Sequence, residues 1–224
     1  ITQGNLSLVE FITGDGKIVD SIQSTEFIEA ITLNNLAKIS EGKPIGSNNM
    51  DRALLAYALE NGYNDSKNAL DKVKEISGFD SEKKCATVEL NSGVVYWKGA
   101  TENIIDEVTH YSFSEGEERE FTAADKKNLQ EQMAAQAKRT MKLLTVAKIE
   151  GTKTVLMAVL CLRDNVRTDA IETVEILNHA GIQVVMVTGD AEETAMAIAK
   201  EAGILKDEEK DVVLTHEQLE KMSD

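Results

Sequence analysis

The pattern of apolar and polar residues changes about two thirds of the way along the chain. In the last third, residues 155–162 and 182–187 are short apolar runs rich in β-branched residues, which is typical of buried strands. Helices are predicted over residues 169–180, with Gly181 suited to end the first of them, and over residues 191–203. Strand, helix, strand and helix in this order predict a βαβα unit with a mainly parallel sheet.

The first 150 residues have a different pattern. Two β-hairpins are predicted where short apolar runs flank turn residues, at residues 7–21 around Thr-Gly-Asp-Gly and at residues 85–98 around Asn-Ser-Gly. A further strand is predicted over 143–149, helices over 26–39, 51–62 and 125–142, and a charged surface loop over 115–120. These elements predict an antiparallel α+β domain, and the change to the parallel module is placed near Gly151.

Composition limits the class of function. The chain has 224 residues, with 24 Lys and Arg against 39 Asp and Glu, and its net charge of −15 argues against nucleic acid as a partner. No apolar run is long enough for a membrane span, and the two cysteines lie in separate strand-like segments, which fits a reducing compartment. The histidines lack ligand spacing, so no transition-metal site is predicted. The sequence begins without methionine and ends in polar residues, so we expect a piece of a longer protein.

The strand predicted over 182–187 leads directly into Thr188, Gly189 and Asp190, and a helix follows. Ligands of open α/β sheets bind at the carboxyl ends of strands, and the N-terminus of a helix favours anions. The segment therefore predicts a site for a phosphoryl group. An ordinary turn between a strand and a helix is the alternative.

Three local groups in the first domain could contact a ligand. Lys98 stands at a strand end beside Gly99, which leaves space there; a solvent-facing lysine is the alternative. Phe79 precedes the basic residues Lys83 and Lys84, so it could stack on a base near cations, or simply pack in the core. Asp51, at a helix start, could accept a hydrogen bond from a ligand amine or complement the helix dipole.

The order of these motifs resembles that of the P-type cation-transporting ATPases over essentially the whole chain. The motifs are Asn-x-x-Asp-x-Ala-Leu-Leu, Phe-Asp-Ser-x-x-Lys, Lys-Gly-Ala, Asp-x-x-Arg and Val-Val-Met-Val-Thr-Gly-Asp. The resemblance implies a mixed α/β and α+β fold. An antiparallel-sheet nucleotide-binding domain, residues 7–151, would be inserted into an incomplete haloacid-dehalogenase-like (Rossmann-like) parallel α/β phosphorylation domain, residues 1–6 and 152–224.

The resemblance also assigns roles to residues. Phe79 is similar to the aromatic residue that stacks on adenine, Asp51 to the acidic residue that contacts the adenine amino group, and Lys98 to the lysine of the nucleotide pocket. Gly99 would give room for the base, and Lys84 is similar to the second pocket lysine.

Further matches concern the phosphates. Asp164 and Arg167 resemble the two ends of a motif that reaches the ribose and phosphates, although Asn and Val replace its two prolines. Lys142 occupies the place of a phosphate-contacting arginine and keeps its charge without the bidentate fork. Thr188, Gly189 and Asp190 match the element that hydrogen-bonds the transferred phosphoryl group.

As a whole, the resemblance implies a pump that transfers the γ-phosphate of ATP to an aspartate with Mg²⁺ and moves a cation, calcium being favoured. We expect this piece to lie on the cytoplasmic face of a multi-pass membrane protein, whose transmembrane and actuator domains are its partners. It is expected to be monomeric, to bind ATP weakly and to lack turnover, because the phosphorylated aspartate would precede Ile1. The alternatives are a soluble haloacid-dehalogenase-type phosphatase and a non-catalytic nucleotide-binding module.

Overall fold

A computed structural model describes residues 1–64, 70–80, 82–114, 116–189, 192–206, 211–215 and 218. The chain forms two compact units. The larger unit comprises Leu6–Ala137 and Met141–Arg163, and the smaller unit comprises Ile1–Asn5, Lys138–Thr140 and Asp164–Asp224. The division after Arg163 differs from the predicted change near Gly151, because the strand that follows this glycine continues the sheet of the larger unit.

The described strands are β1 (Thr2–Ile12), β2 (Ile18–Val19), β3 (Lys38–Ser40), β4 (Lys43–Ile45), β5 (Val73–Asp80), β6 (Cys85–Leu90), β7 (Val95–Gly99), β8 (His110–Ser114), β9 (Glu117–Glu120), β10 (Lys142–Glu150) and β11 (Lys153–Val166). The described helices are α1 (Thr25–Leu33), α2 (Asn49–Glu60), α3 (Thr101–Ile104), α4 (Ala123–Lys138), α5 (Thr168–His179) and α6 (Glu192–Glu201). Nine of these strands form one sheet in the order β2-β1-β11-β10-β7-β6-β5, and β8 joins β11 to β9.

Both predicted hairpins are confirmed. Strands β1 and β2 pair antiparallel around a turn in which the amide of Thr13 donates to the carbonyl of Lys17 at 2.9 Å. Strands β6 and β7 pair antiparallel around a turn that contains Gly93 at φ +89°, a conformation that glycine adopts without strain. The strand predicted over 143–149 is confirmed as the centre of β10.

Two cores cover the two faces of this sheet. One contains Phe11 with side chains of α1 and α2, and the other contains Ile12 with side chains of α3 and α4. Strand β11 contributes alternate residues to both cores, among them Leu160 to the first and Cys161 to the second. The larger unit is therefore a mixed α/β fold with a largely antiparallel sheet between helices.

The mainly parallel sheet predicted around residues 155–162 is wrong for their longest described pairing, and the described parallel pairing is limited to Val155 and Leu156 with His110 and Tyr111 of β8. These residues lie in β11, which pairs antiparallel with β10 from Lys142 opposite Leu162 to Glu150 opposite Lys153. A strand buried on both faces has a continuous apolar sequence whatever the direction of its neighbours. The apolar run therefore indicated a buried strand correctly and could not reveal its orientation.

Helix α1 ends at Leu33, six residues before the predicted end at residue 39. Ser24 caps its first turn by accepting a hydrogen bond from the amide of Phe27 at 3.3 Å. Asn34 turns its side chain away from the helix towards the sheet, and the chain continues into the hairpin of β3 and β4. Residues 41 and 42 have positive φ angles in the turn of that hairpin.

The charged run 117–120 is strand β9, where a surface loop was predicted; Glu115 of the predicted loop lies outside the described residues. Among the described strands, β9 pairs only with β8, and charged residues are common on such edge strands. Glu118 also forms an ion pair with a buried group, because its carboxylate lies 3.0 Å from the ammonium group of Lys148. Glu26 pairs with the same ammonium group at 2.8 Å. These partners keep the pKa of Lys148 above its usual value although burial opposes it.

The smaller unit contains α5 and α6, which confirm both helices predicted after residue 168. Gly181 follows α5 at φ +74°, as the predicted helix end requires. Residues 182–187 form no strand, and Val185 and Val187 are 72% and 91% exposed, so the buried strand predicted there is wrong for this structure. No described strand forms a ladder with this segment, and an isolated extended segment has little stability of its own.

In the part of the chain that the structure describes, no helix combines the length and the apolar character needed to cross a membrane.

Candidate functional site

A cleft in the larger unit lies where the segment after α1, the N-terminus of α2 and strands β5, β6 and β7 meet. The cleft is small, with a cavity volume of about 40 Å³. The cleft is lined by Asn34, Asn35, Leu36, Asn48, Asp51, Ile76, Ser77, Gly78, Phe79, Ala86 and Lys98. Three of the residues predicted to bind a ligand, Asp51, Phe79 and Lys98, therefore lie in one cleft.

Asp51 and Lys98 form a buried ion pair at the base of the cleft. The Nζ of Lys98 donates to Oδ1 of Asp51 at 2.5 Å and to the carbonyl of Asn34 at 2.5 Å. Asp51 is 3% exposed and Lys98 9%, and the other oxygen of Asp51 accepts from the amide of Leu36 at 3.2 Å. Burial lowers the pKa of Lys98, and the carboxylate of Asp51 limits this shift by favouring the charged ammonium group.

The ends of two helices place this pair. Lys98 meets the carbonyl that follows the last turn of α1, where the helix dipole is negative. Asp51 lies in the first turn of α2, where the dipole is positive, behind the cap that Asn48 makes to the amides of Met50 and Asp51. Asp51 thus lies where it was predicted to complement the dipole of α2. The alternative of a solvent-facing Lys98 is excluded, because its side chain is buried.

Phe79 stands at the mouth of the cleft and is 63% exposed, so the alternative of a core phenylalanine is excluded. Strand β5 pairs Ser77 with Thr87 and then Asp80 with Cys85, so an irregularity in the register lies at Phe79. Such bulges redirect side chains away from the regular ladder. An exposed aromatic ring in the same cleft as a buried ion pair suits a flat heterocycle that has a polar edge.

Gly99 does not open the cleft, contrary to the prediction. A Cβ atom at this position would lie 2.6 Å from the carbonyl oxygen of Lys84 and 2.7 Å from Cβ of Cys85. Successive residues of a strand face opposite sides, so Lys98 faces the cleft while Gly99 faces away from it. The missing side chain thus permits close packing of the strand against the start of β6.

The substitution Gly99→Ala is expected to lower the free energy of unfolding by about 1–3 kcal/mol, because the added methyl group forces backbone atoms apart. Gly78→Ala is the matched control, since a Cβ there meets no atom within 4 Å and its φ is not positive. Urea unfolding of both variants tests this expectation. Equal stability of the two variants would contradict the role assigned to Gly99.

The two other lysines predicted for the site lie outside the lining of the cleft. Lys84 is exposed in the turn between β5 and β6 at φ +50°, where its carbonyl accepts from the amide of Ala100 at 3.0 Å. Lys142 is exposed at the start of β10, opposite Leu162. The structure therefore leaves both ammonium groups in solvent.

The remaining predicted residues belong to the smaller unit. Asp164 has one carboxylate oxygen buried without a hydrogen-bond partner among the described residues. Arg167 precedes α5 and forms an ion pair with Asp169, its Nε donating at 2.9 Å, which raises the pKa of Arg167 and lowers that of Asp169. Thr188 and Gly189 are exposed, and Asp190 lies outside the described residues.

The prediction missed the asparagines of the cleft, above all Asn34. It is 4% exposed, and its side-chain amide donates to the carbonyls of Ala86 and Tyr96 at 2.9 and 3.2 Å. A signal was present in the sequence, because two consecutive asparagines are unfavourable inside a helix and favour its end.

Comparison with known proteins identifies the family of the chain. Residues 23–183 match the family model described as P-type ATPase, cytoplasmic domain N. Calcium-transporting ATPase 1 of Schizosaccharomyces pombe is 30% identical over 69% of this chain and 18% of its own length. The protein of the same name from Saccharomyces cerevisiae is 30% identical over 88% of this chain and 23% of its own length. That from Lactococcus lactis subsp. lactis is 27% identical over 100% of this chain and 26% of its own length.

The chain thus spans about a quarter or less of the length of these curated relatives. The matches favour the pump family over a soluble haloacid-dehalogenase-type phosphatase and over an unrelated nucleotide-binding module. They cover the strands and helices that build the cleft. The chain belongs to the P-type ATPase family and contains its cytoplasmic domain N.

Proposed function

We propose that the larger unit binds ATP in the cleft between α2 and strands β5 to β7. The observation that carries this proposal is that the exposed ring of Phe79 and the buried pair of Asp51 and Lys98 line one cleft. The adenine ring would stack on Phe79, and its amino group would donate to the carboxylate of Asp51. Two of the three Lys98 donors bind Asp51 and Asn34 in the described structure, which leaves one for the nucleotide.

The phosphates of ATP need cations, because a chain with a net charge of −15 repels them. Lys84 and Lys142 are exposed lysines of the larger unit, and we assign them to the ribose or phosphate side of the nucleotide. Each would act as a flexible point charge, since lysine lacks the fork of arginine. Mg²⁺ would bind as a complex with the phosphate oxygens of ATP and partly neutralise their charge.

The smaller unit, together with residues outside this chain, would form the haloacid-dehalogenase-like phosphorylation domain. The resemblance assigns Asp164 to the ribose and Arg167 to the phosphates of a nucleotide, and Arg167 would first have to release Asp169. Thr188, Gly189 and Asp190 would hydrogen-bond the transferred phosphoryl group.

The protein that contains this chain would transfer phosphate from ATP to an aspartate and use its hydrolysis to move calcium across a membrane. The relatives from two yeasts and from Lactococcus are named calcium-transporting ATPases, which supports calcium as the ion. The chain would then lie on the cytoplasmic face and contact the actuator and transmembrane domains of the pump.

An ATP titration of the ¹⁵N-labelled chain tests the nucleotide site. We expect amide shifts at Phe79, Lys98 and their strand neighbours, and Phe79→Ala should weaken binding about 5- to 100-fold through lost stacking. Phe113→Ala is the matched control, because Phe113 is also exposed, at 41%, and does not line the cleft. Absence of shifts near Phe79 and Lys98 would refute ATP binding here.

Transport requires the complete protein. In sealed vesicles we expect ATP- and Mg²⁺-dependent uptake of ⁴⁵Ca²⁺, with an acid-stable phosphoenzyme that forms during turnover. Uptake of another cation but not of calcium would agree with the pump family and would refute calcium as the transported ion.

A further inference from the structure

Asn34 joins one helix to two strands from a buried position. It follows the last turn of α1, where its amide donates to the carbonyl of Ala30 at 3.2 Å. Its side-chain amide uses both hydrogens on the sheet, donating to the carbonyl of Ala86 on β6 and to that of Tyr96 on β7. The end of α1 is thereby tied to two neighbouring strands at one point.

That point is next to Lys98. Ala86 is opposite Lys98 in the pairing of β6 with β7, and Tyr96 precedes Lys98 by two residues on the same strand. The carbonyl of Asn34 itself accepts from Nζ of Lys98 at 2.5 Å. Asn34 therefore holds the facing strand opposite Lys98, the strand of Lys98 two residues before it, and the ammonium group itself.

We infer that Asn34 is a positioning residue of the cleft, which fixes the ammonium group of Lys98 against Asp51 so that it meets the nucleotide in one orientation. A lysine head group on a flexible four-carbon stem keeps many rotamers unless its donors are held. Fixing it in advance lowers the entropy lost on binding. The inference rests on the proposed ATP site, in which Lys98 takes part.

A purely structural role for Asn34 as a helix cap is the competing explanation, and Asn61 offers a matched comparison. Asn61 also follows the last turn of a helix, α2, and its side chain donates to the carbonyl of Tyr57 at 2.9 Å. It lies outside the lining of the cleft and contacts its own helix. Asn61→Ala removes a capping side chain and leaves the surroundings of Lys98 intact.

The ammonium group of Lys98 provides the decisive measurement. In the unaltered chain, its buried and hydrogen-bonded ¹⁵Nζ group should give a slowly exchanging signal, assigned by its loss in the Asp51→Asn/Lys98→Met double variant. We expect Asn34→Ala to abolish this signal while circular dichroism still shows a folded protein, and Asn61→Ala to retain it. Persistence of the signal in Asn34→Ala would overturn the inference.

ATP affinity is the second measurement. Asn34→Ala is expected to weaken binding about tenfold, because a hydrogen bond to a charged group is no longer held in place, whereas Asn61→Ala should bind like the unaltered chain. Equal losses in the two variants would show a general effect of stability and overturn the inference. Failure of the unaltered chain to bind ATP would refute the proposed function, whereas the ammonium signal would still decide whether Asn34 holds Lys98.

If Asn34→Ala does not fold, Asn34→Ser replaces it, because serine retains one short donor. We expect this variant to weaken both the ammonium signal and ATP binding. In the unaltered chain, ATP should also shift the side-chain amide resonances of Asn34, and unchanged resonances at saturation would contradict the inference.

Discussion

The single substitution Lys98→Met is expected to lower the free energy of unfolding of the larger unit by about 3–5 kcal/mol. It leaves the carboxylate of Asp51, which is 3% exposed, in the interior without a cation, and only the amide of Leu36 still donates to it among the described contacts. The double variant Asp51→Asn/Lys98→Met should be more stable than this single variant, because it removes the unpaired charge and keeps an acceptor for Leu36.

Urea unfolding, followed by the fluorescence of Trp97, measures both variants, since Trp97 is the single tryptophan and adjoins Lys98 on β7. Lys126→Met is the control, because Lys126 forms a solvent-exposed pair with Asp106 and exposed pairs contribute about 0–1 kcal/mol. Equal stabilities of the single and double variants at Lys98 would show that the buried charge is not the source of the loss. A loss as small as that of Lys126→Met would show that Lys98 is solvated.

Sequence patterns predicted the elements of the larger unit better than their pairing. Turn residues such as Gly93 specified the hairpins, since a positive φ angle at a defined position admits few side chains. Strand β11 was recognised from its apolar sequence, but its hairpin with β10 was missed, because Gly151 in the turn between them was interpreted as a change of domain. Strand β5 was missed, because its exposed residues lack the alternation that indicates a half-buried strand.

The candidate site was predicted only in part, for a related reason. Asp51, Phe79 and Lys98 carry charge or an exposed ring, and the order of the motifs identified them before any geometry was known. Asn34 was missed because its role consists of hydrogen bonds to the carbonyls of residues 52 and 62 positions away. Gly99 was assigned to the ligand because the sequence does not show that Lys84 and Cys85 fill the space beside it.

Two phenylalanines separate the stability of the larger unit from its binding function. Phe11 is fully buried in the core beneath α1 and α2, with its ring centroid 5.7 Å from that of Phe27 and 5.1 Å from that of Tyr57. Phe11→Ala is expected to lower the free energy of unfolding by about 3–5 kcal/mol, because it removes buried apolar area and leaves a cavity. Phe79→Ala makes the same chemical change at a side chain that is 63% exposed, and it should alter stability by less than about 0.5 kcal/mol.

ATP affinity should show the opposite order, with the larger loss in Phe79→Ala. It is measured on both variants at a temperature where both are folded. Phe11→Ala should retain ATP affinity within about threefold, because Phe11 does not line the cleft, while Phe79→Ala loses the stacking surface. Calorimetric unfolding gives the stability of each of the two variants, and the ATP titration gives the dissociation constant of each. A large loss of stability in Phe79→Ala would show that its ring packs against the protein. In that case the cleft would have no exposed surface for adenine, and the proposed site would have to lie elsewhere in the larger unit.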